Sequence, residues 1–136
     1  MSTITNVGGQ LTYPNLPFIQ LFRSTDTSYN EGVTITGWRV NASRGITESS
    51  GVMTVPVAGL YEIHMMLICG TTGGIMLNID NTDINRIGYC QAGTGEVWSQ
   101  IGGTGLHQLN ANSTVKFVSN TASLRLFGGV STNTVG

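Results

Sequence analysis

Residues 60–69, LYEIHMMLIC, restrict the fold most strongly, because their side chains are largely apolar on both faces of a strand. Strand side chains alternate with a period of two. One face carries Tyr61, Ile63, Met65, Leu67 and Cys69. The other face carries Glu62, His64, Met66 and Ile68. A strand with one buried face alternates between apolar and polar residues, so the second face of this strand must be covered as well.

The composition predicts an all-β protein. Gly, Ser, Thr and Asn account for 59 of the 136 residues, and only 10% of the residues are charged. This composition is rich in turn formers and poor in the Glu, Lys and Arg that cover helices. No stretch of twelve residues combines a helical apolar stripe with caps. Short apolar runs instead recur about every ten residues, which predicts seven to nine strands in a sandwich or jelly roll.

The chain is predicted to have an N-terminal arm, residues 1–16, and a single domain, residues 17–136. The arm lacks sustained alternation and contains two adjacent glycines and a proline,. Within the domain, GTTGG at 70–74 is expected to close a hairpin onto IMLNID, because glycine adopts the positive φ of short hairpin loops. The glycines of EVWSQIGGTGLHQL predict bulges or close backbone approach in a long strand.

Two segments resemble the tumour necrosis factor and complement globular-head superfamily. GVMTVPVAGLYEIHMML is similar to the signature region of that superfamily, with matches at Val55, Pro56, Gly59, Leu60 and Tyr61. GLHQLNANSTVKF resembles a second motif, with Leu109 and Val115 in place but Asn112-Ser113 where the family has Gly-Asp. SYNEGV, at 28–33, stands where many members carry a Tyr-Asn turn.

This resemblance implies a two-sheet antiparallel jelly-roll sandwich (TNF-like) that assembles as a homotrimer. An inner-sheet strand is then buried once in its own sandwich and once at the three-fold axis, which explains two apolar faces. The predicted trimer-interface residues are Glu62, His64, Met66, Ile68, Trp98 and Gln100. We place His64 near the three-fold axis, opposite or beside Glu62 of the same or a neighbouring chain.

The last strand of the inner sheet is where this sequence departs from the family. The family has an aromatic, glycine-containing strand between the first strand and the Gly-Leu-Tyr strand, but VSTNTVG at 130–136 is polar. Three explanations are open: the chain is cut short, a partner donates the missing strand, or LRLFGG occupies its position. We expect the first, with Leu124–Phe127 as the rival occupant.

No enzymatic activity and no cofactor are expected. His64 and His107 lie in no nucleophile or metal-ligand motif,. Asp80 and Asp83 resemble a calcium-binding turn, but an Asx-type turn is the preferred interpretation, so we expect no metal.

The two cysteines, Cys69 and Cys90, are expected to be reduced. No signal peptide is visible at the N-terminus, which predicts synthesis in a cytoplasm, where thiols stay reduced,. A disulfide between neighbouring strands is the alternative.

The charge pattern argues against nucleic acid and membranes as partners. The six basic residues are scattered singly and the formal net charge is -1, whereas nucleic-acid binding needs a basic cluster,. No run of eighteen apolar residues is present,.

The expected function is that of a bacteriophage virion protein, a trimeric capsid decoration (cement) protein made in the host cytoplasm. Its partners are then copies of itself and the major capsid protein or other virion proteins, with Leu11, Tyr13 and Leu16 of the arm in contact with the capsid. The alternative is a receptor- or glycan-binding head of a phage tail fibre. A secreted cytokine-like ligand is disfavoured because no signal peptide is visible.

Overall fold

A computed structural model describes residues 16–91 and 99–128 in full, together with the backbone of residues 5–7 and 10–12. The described chain consists of strands and connecting turns and contains no helix. The strands are β1 (Thr5–Val7), β2 (Gln10–Thr12), β3 (Phe18–Arg23), β4 (Thr27–Tyr29), β5 (Trp38–Arg44), β6 (Thr47–Ser49), β7 (Val52–Thr54), β8 (Gly59–Cys69), β9 (Gly73–Ile79), β10 (Thr82–Cys90), β11 (Ser99–Leu109), β12 (Thr114–Ser119) and β13 (Leu124–Phe127).

The prediction of seven to nine strands was too low, because tight turns divide the chain into shorter pieces. The β6–β7 hairpin shows how: Ser50 and Gly51 adopt φ values of 50° and 86°, and the chain reverses after three residues on each side. The prediction of an all-β fold is confirmed.

Two sheets form the sandwich. The five-stranded sheet has the order β10-β9-β12-β7-β6 and the four-stranded sheet has the order β11-β8-β13-β4, while β3 pairs with β5 and β1 with β2. The neighbouring strands are antiparallel in every sheet. The apolar core receives residues from both main sheets, among them Met65, Ile75, Leu77, Ile101, Phe117 and Leu126. The structure is thus an antiparallel two-sheet sandwich.

The β8–β11 pair is the longest in the protein's described part. The two strands pair from Gly59 opposite Leu109 to Cys69 opposite Ser99 without a bulge. The glycines of β11 therefore do not interrupt the strand. Both strands alternate strictly between core and exterior over this length, which creates one long outward surface.

The prediction that residues 70–74 close a hairpin is wrong. β8 belongs to the four-stranded sheet and β9 to the five-stranded sheet, so this segment carries the chain from one sheet to the other. None of its glycines has a positive φ. Gly73 is instead the first residue of β9, where a Cβ atom would overlap the side chain of Thr121. The tight hairpin follows later, at Asp80-Asn81, where both residues have a positive φ, as in a type I′ turn,.

The expectation that Cys69 and Cys90 are reduced is contradicted by the structure, in which they form a disulfide. Cys69 ends β8 and Cys90 ends β10, so the bond joins the two sheets rather than neighbouring strands of one sheet. Both side chains point into the core, and their Cα atoms are 6.8 Å apart. This proximity depends on how the two sheets stack, which the compartment of synthesis does not determine.

The inner-sheet position left open by the sequence is held in part by β13. Leu124 and Leu126 pair with β4, while Leu126 and Phe127 pair with Cys69 and Ile68 of β8. Leu124–Phe127, the rival occupant, therefore lies between β4 and β8. It covers only the last two residues of β8.

The described residues contain no helix with the length and apolar character needed to cross a membrane.

Candidate functional site

The outward surface of β8 and β11, called the outer face below, is the most distinctive surface of the described protein. From β8 it consists of Leu60, Glu62, His64, Met66 and Ile68. From β11 it consists of Gln100, Gly102, Thr104, Leu106 and Gln108. All ten residues are exposed, whereas the residues between them point towards the core or are partly buried.

Large apolar side chains are unusually exposed on the outer face. Leu60, Met66 and Leu106 are 65%, 62% and 64% exposed, and Ile68 is 37% exposed. Burying such a side chain stabilises an assembly by about 1.5–3 kcal/mol, and clustered exposed apolar residues mark interaction sites. The outer face therefore has the character of an interface and is unlike an ordinary solvated sheet.

Polar groups occupy the middle of the outer face. Nδ1 of His64 lies 2.5 Å from Oγ1 of Thr104, directly across the β8–β11 pair. Glu62 lies two residues before His64 on the same side of the strand, opposite Leu106. The centre of the face therefore holds a titratable imidazole and a carboxylate between apolar ends.

The structure brings five of the six predicted interface residues together on this face: Glu62, His64, Met66, Ile68 and Gln100. Trp98 lies outside the described residues. The sequence analysis did not include Leu60 and Leu106 among the interface residues. The alternation in GTGLHQL could have indicated that the Leu106 side chain points outward.

The three residues predicted to contact a capsid are not brought into one described cluster. Leu11 lies on β2, Tyr13 lies outside the described residues, and Leu16 is 45% exposed just before β3.

A second feature is an open groove of about 570 Å³ between β3 and β8, called the β3–β8 groove below. Consecutive residues from Val57 to Leu67 line it, so β8 presents its edge, together with the first residues of β3. The floor is formed by core side chains, among them Ile46, Met53, Val55, Leu109, Val115 and Phe117. Among the described strands, none pairs with this edge of β8 between Gly59 and Leu67.

A buried cation lies beside Trp38, which is one of the residues that line the groove. Arg23 is 2% exposed, and its guanidinium lies 5.2 Å from the ring centroid of Tyr29 and 5.5 Å from that of Trp38. It donates hydrogen bonds to the carbonyl oxygens of Thr36 and Thr25. Contacts with aromatic faces of this kind stabilise a desolvated arginine. Trp38 therefore packs within the fold, against Arg23 and Phe117.

The acidic residues of the β9–β10 turn act within the fold. Oδ2 of Asp80 accepts a hydrogen bond of 2.9 Å from the Ser113 hydroxyl, and Oδ1 accepts one of 2.8 Å from the Thr114 amide. Asp83 accepts a bond of 2.8 Å from Nδ2 of Asn78. Asp80 therefore caps the neighbouring turn rather than its own backbone. Within the described ranges, no three His, Cys, Asp or Glu side chains are placed to hold a metal ion.

The fold is similar to that of known structures at low sequence identity. Murine APRIL, in its pH 8.5 crystal structure, matches with a TM-score of 0.66 and 14% identity, over 84% of this chain and 91% of that one. Eiger TNF from S. frugiperda matches with a TM-score of 0.66 and 12% identity, over 83% of this chain and 85% of that one. No protein-family model and no curated protein sequence matches the chain. The chain has a TNF-like jelly-roll fold.

Proposed function

We propose that this protein is a structural virion protein, a homotrimeric capsid decoration (cement) protein of a bacteriophage. The observation that carries the proposal is the exposed apolar outer face of β8 and β11, which a stable soluble protomer would not leave uncovered,. Three copies around a three-fold axis cover it symmetrically, with the same residues contributed by each. The function is then exerted by the assembled surface rather than by a reaction centre.

The remaining candidate reactive groups support a structural role. Cys69 and Cys90 are bonded to each other, and the Asp80 carboxylate is engaged by Ser113 and Thr114. These groups stabilise the fold and are not poised for catalysis. A disulfide also fits a protein exposed on a particle, because virion surfaces are among the oxidising environments in which disulfides persist.

The phage assignment comes from the character of the chain. A nearly neutral domain rich in Gly, Thr and Asn is similar to phage virion proteins that use this fold. Residues 1–16 are the candidate attachment arm, because their sequence lacks sustained alternation,.

The second candidate is a receptor- or glycan-binding head of a tail fibre, which one observation favours. Tyr89 on β10 is 53% exposed, and the Arg86 guanidinium lies 5.3 Å from its ring centroid. An exposed tyrosine ring offers an apolar face and a polar tip to a partner, and the Arg86 guanidinium beside it is held by hydrogen bonds to Oδ1 of Asn120,. Tyr89 lies in the five-stranded sheet, away from the outer face.

Negative-stain images of phage particles assembled with and without this protein test the proposal. A decoration protein adds density at regular positions over the capsid. Density confined to the tail tip would replace this proposal with the fibre-head function, and absence from purified particles would reject both.

Deletion of residues 2–15 tests the attachment arm on the same particles. We expect the shortened protein to remain trimeric by light scattering but to lose attachment to capsids that lack the protein. Undiminished attachment would show that the arm is not the clamp, and loss of the trimer would place the arm within the fold.

A further inference from the structure

The two-stranded β3–β5 pair carries two arginine–phenylalanine stacks on one face. Arg44 lies opposite Phe18 and Arg39 lies opposite Phe22 in the register of the pair. The central guanidinium carbon is 5.5 Å from the ring centroid in the first stack and 5.4 Å in the second. Both arginines are exposed. We call this surface the arginine face; it consists of Phe18, Gln20, Phe22, Arg39, Asn41 and Arg44.

A β-bulge places both arginines on the same face. The register shifts between Gln20 and Leu21, because Asn41 is an extra residue on β5. Arg39 and Arg44 are five positions apart, so a regular strand would direct them to opposite faces. The extra residue reverses the alternation between them, which is how a bulge re-aims a side chain. The irregularity therefore has a specific result, a surface with two stacked cations.

The two guanidiniums retain their hydrogen-bond donors. Within the described residues, Arg39 and Arg44 donate no hydrogen bond and form no ion pair, and β3 and β5 contain no acidic residue. The other four basic residues each contact an acceptor in the described part of the chain: Arg23, Arg86, Lys116 and Arg125. A guanidinium offers five N–H donors in a planar fork that matches a carboxylate. The arginine face is thus suited to bind carboxylates.

We propose that the arginine face binds an extended acidic polypeptide segment, in which two carboxylates four residues apart contact Arg39 and Arg44. The proposal does not depend on the virion function, because it rests on the β3–β5 pair alone and not on the outer face.

The spacing of the two stacks favours a polypeptide. Phe18 and Phe22 are four residues apart on β3, which is about 13 Å at a rise of about 3.3 Å per residue,. An extended partner has the same repeat, so its side chains at positions i and i+4 reach both stacks. The side chain at i+2 then faces the centre, where Nδ2 of Asn41 donates a 2.8 Å hydrogen bond to Oε1 of Gln20. A polar residue suits that position.

Stacking also prepares the arginines for binding. A guanidinium that already lies on a phenyl ring has less freedom to lose when it pairs with a carboxylate, and side-chain ordering is one of the costs of association. Nucleic acid is not the expected partner, because two separated charges are too few for an interaction that relies on clustered cations.

An NMR titration at low ionic strength tests the proposal. The probe is a seven-residue peptide of threonine and serine with glutamates at its second and sixth positions. We expect saturable shifts of the Arg39 and Arg44 side-chain signals, and a dissociation constant raised about tenfold or more by R39E and by R44E. K116E makes the same charge change on β12 in the five-stranded sheet and should leave the affinity unchanged.

A swap of neighbouring residues separates the geometry of the face from its charge. Ser43 is exposed and lies opposite Ile19, on the other side of the β3–β5 pair from Arg44. S43R/R44S therefore keeps the composition and net charge of the protein but moves one guanidinium to the opposite face. We expect this variant to bind the peptide about fivefold or more weakly than the native protein does. A peptide of the same composition with adjacent glutamates should also bind more weakly to the native protein.

Four results would overturn the proposal. The first is the absence of saturable shifts at millimolar peptide, and the second is equal affinity of S43R/R44S and the native protein, which would indicate general charge attraction. The third is tighter binding of polygalacturonate than of the peptide, which would assign the face to an acidic glycan. The fourth is loss of self-association in R39E or R44E by light scattering, which would assign the face to a second copy of this chain.

Discussion

Met66 of β8 lies directly opposite Gly102 of β11 on the outer face. Gly102 is packed against the backbone of β8, where a Cβ atom would overlap the Met65 carbonyl oxygen, while the Met66 side chain remains 62% exposed. A flexible exposed thioether is well suited to packing against an apolar surface on a neighbouring protomer.

We expect Met66→Glu to dissociate the proposed trimer, because three carboxylates would be brought together at an apolar contact. The apparent dissociation constant should rise by roughly 100-fold or more, the range found for residues that dominate an interface. Light scattering over a dilution series measures this. The control is Ile84→Glu, an exposed apolar residue on β10 in the other sheet, which should leave the mass unchanged. A native protein that is monomeric at micromolar concentration would contradict the trimer itself.

Acid should loosen the trimer through His64. In the proposed trimer, three His64 imidazoles would lie near the axis and would repel one another when protonated but not when neutral. His64→Gln keeps a side chain able to bond Thr104 but removes this charge, so we expect the variant to stay trimeric at a lower pH than the native protein. His107→Gln is the control. Identical acid profiles for native protein and the His64 variant would exclude this residue as the cause.

The cross-sheet disulfide should contribute substantially to stability. Cys69 and Cys90 are separated by 21 residues, and closing a loop of about this size stabilises a protein by about 3 kcal/mol, or roughly 10 °C in melting temperature for a domain of this length,. Substitution of both cysteines by alanine should lower the melting temperature accordingly and remove any effect of reductant. Free thiols found in the native, unreduced protein would contradict the bond.

The Asp80 carboxylate should stabilise the fold without any metal. Asp80→Ala removes the acceptor of the Ser113 and Thr114 hydrogen bonds, so we expect the free energy of unfolding to fall by about 1–3 kcal/mol,. Glu31→Ala, at an exposed turn, is the matched control. A chelator should not change the melting temperature of the native protein, and a large decrease would identify Asp80 and Asp83 as ligands.

Local alternation made the double-faced strand predictable. The period of two along residues 60–69 placed Met65 and Cys69 inside and Met66 and Ile68 outside, as the structure does. The same kind of pattern predicted a long strand that ends at Leu109, as β11 does, because strand propensity and side-chain direction depend on neighbouring residues in the sequence,. The TNF-like sandwich was predictable from this pattern together with the motifs around Pro56 and Tyr61.

The stacking of the two sheets was not predictable in this way. Three features depend on contacts between segments far apart in sequence. Residues 70–74 cross from one sheet to the other, Cys90 bonds Cys69, and Asp80 accepts a hydrogen bond from Ser113. The open β3–β8 groove likewise appears only when the edges of both strands are located. The sequence by itself determined which side chains point inward and which outward along each strand, since that follows from the pleat. Tertiary structure decided which inward side chains meet, because this depends on sheet order and register, which local propensity does not encode.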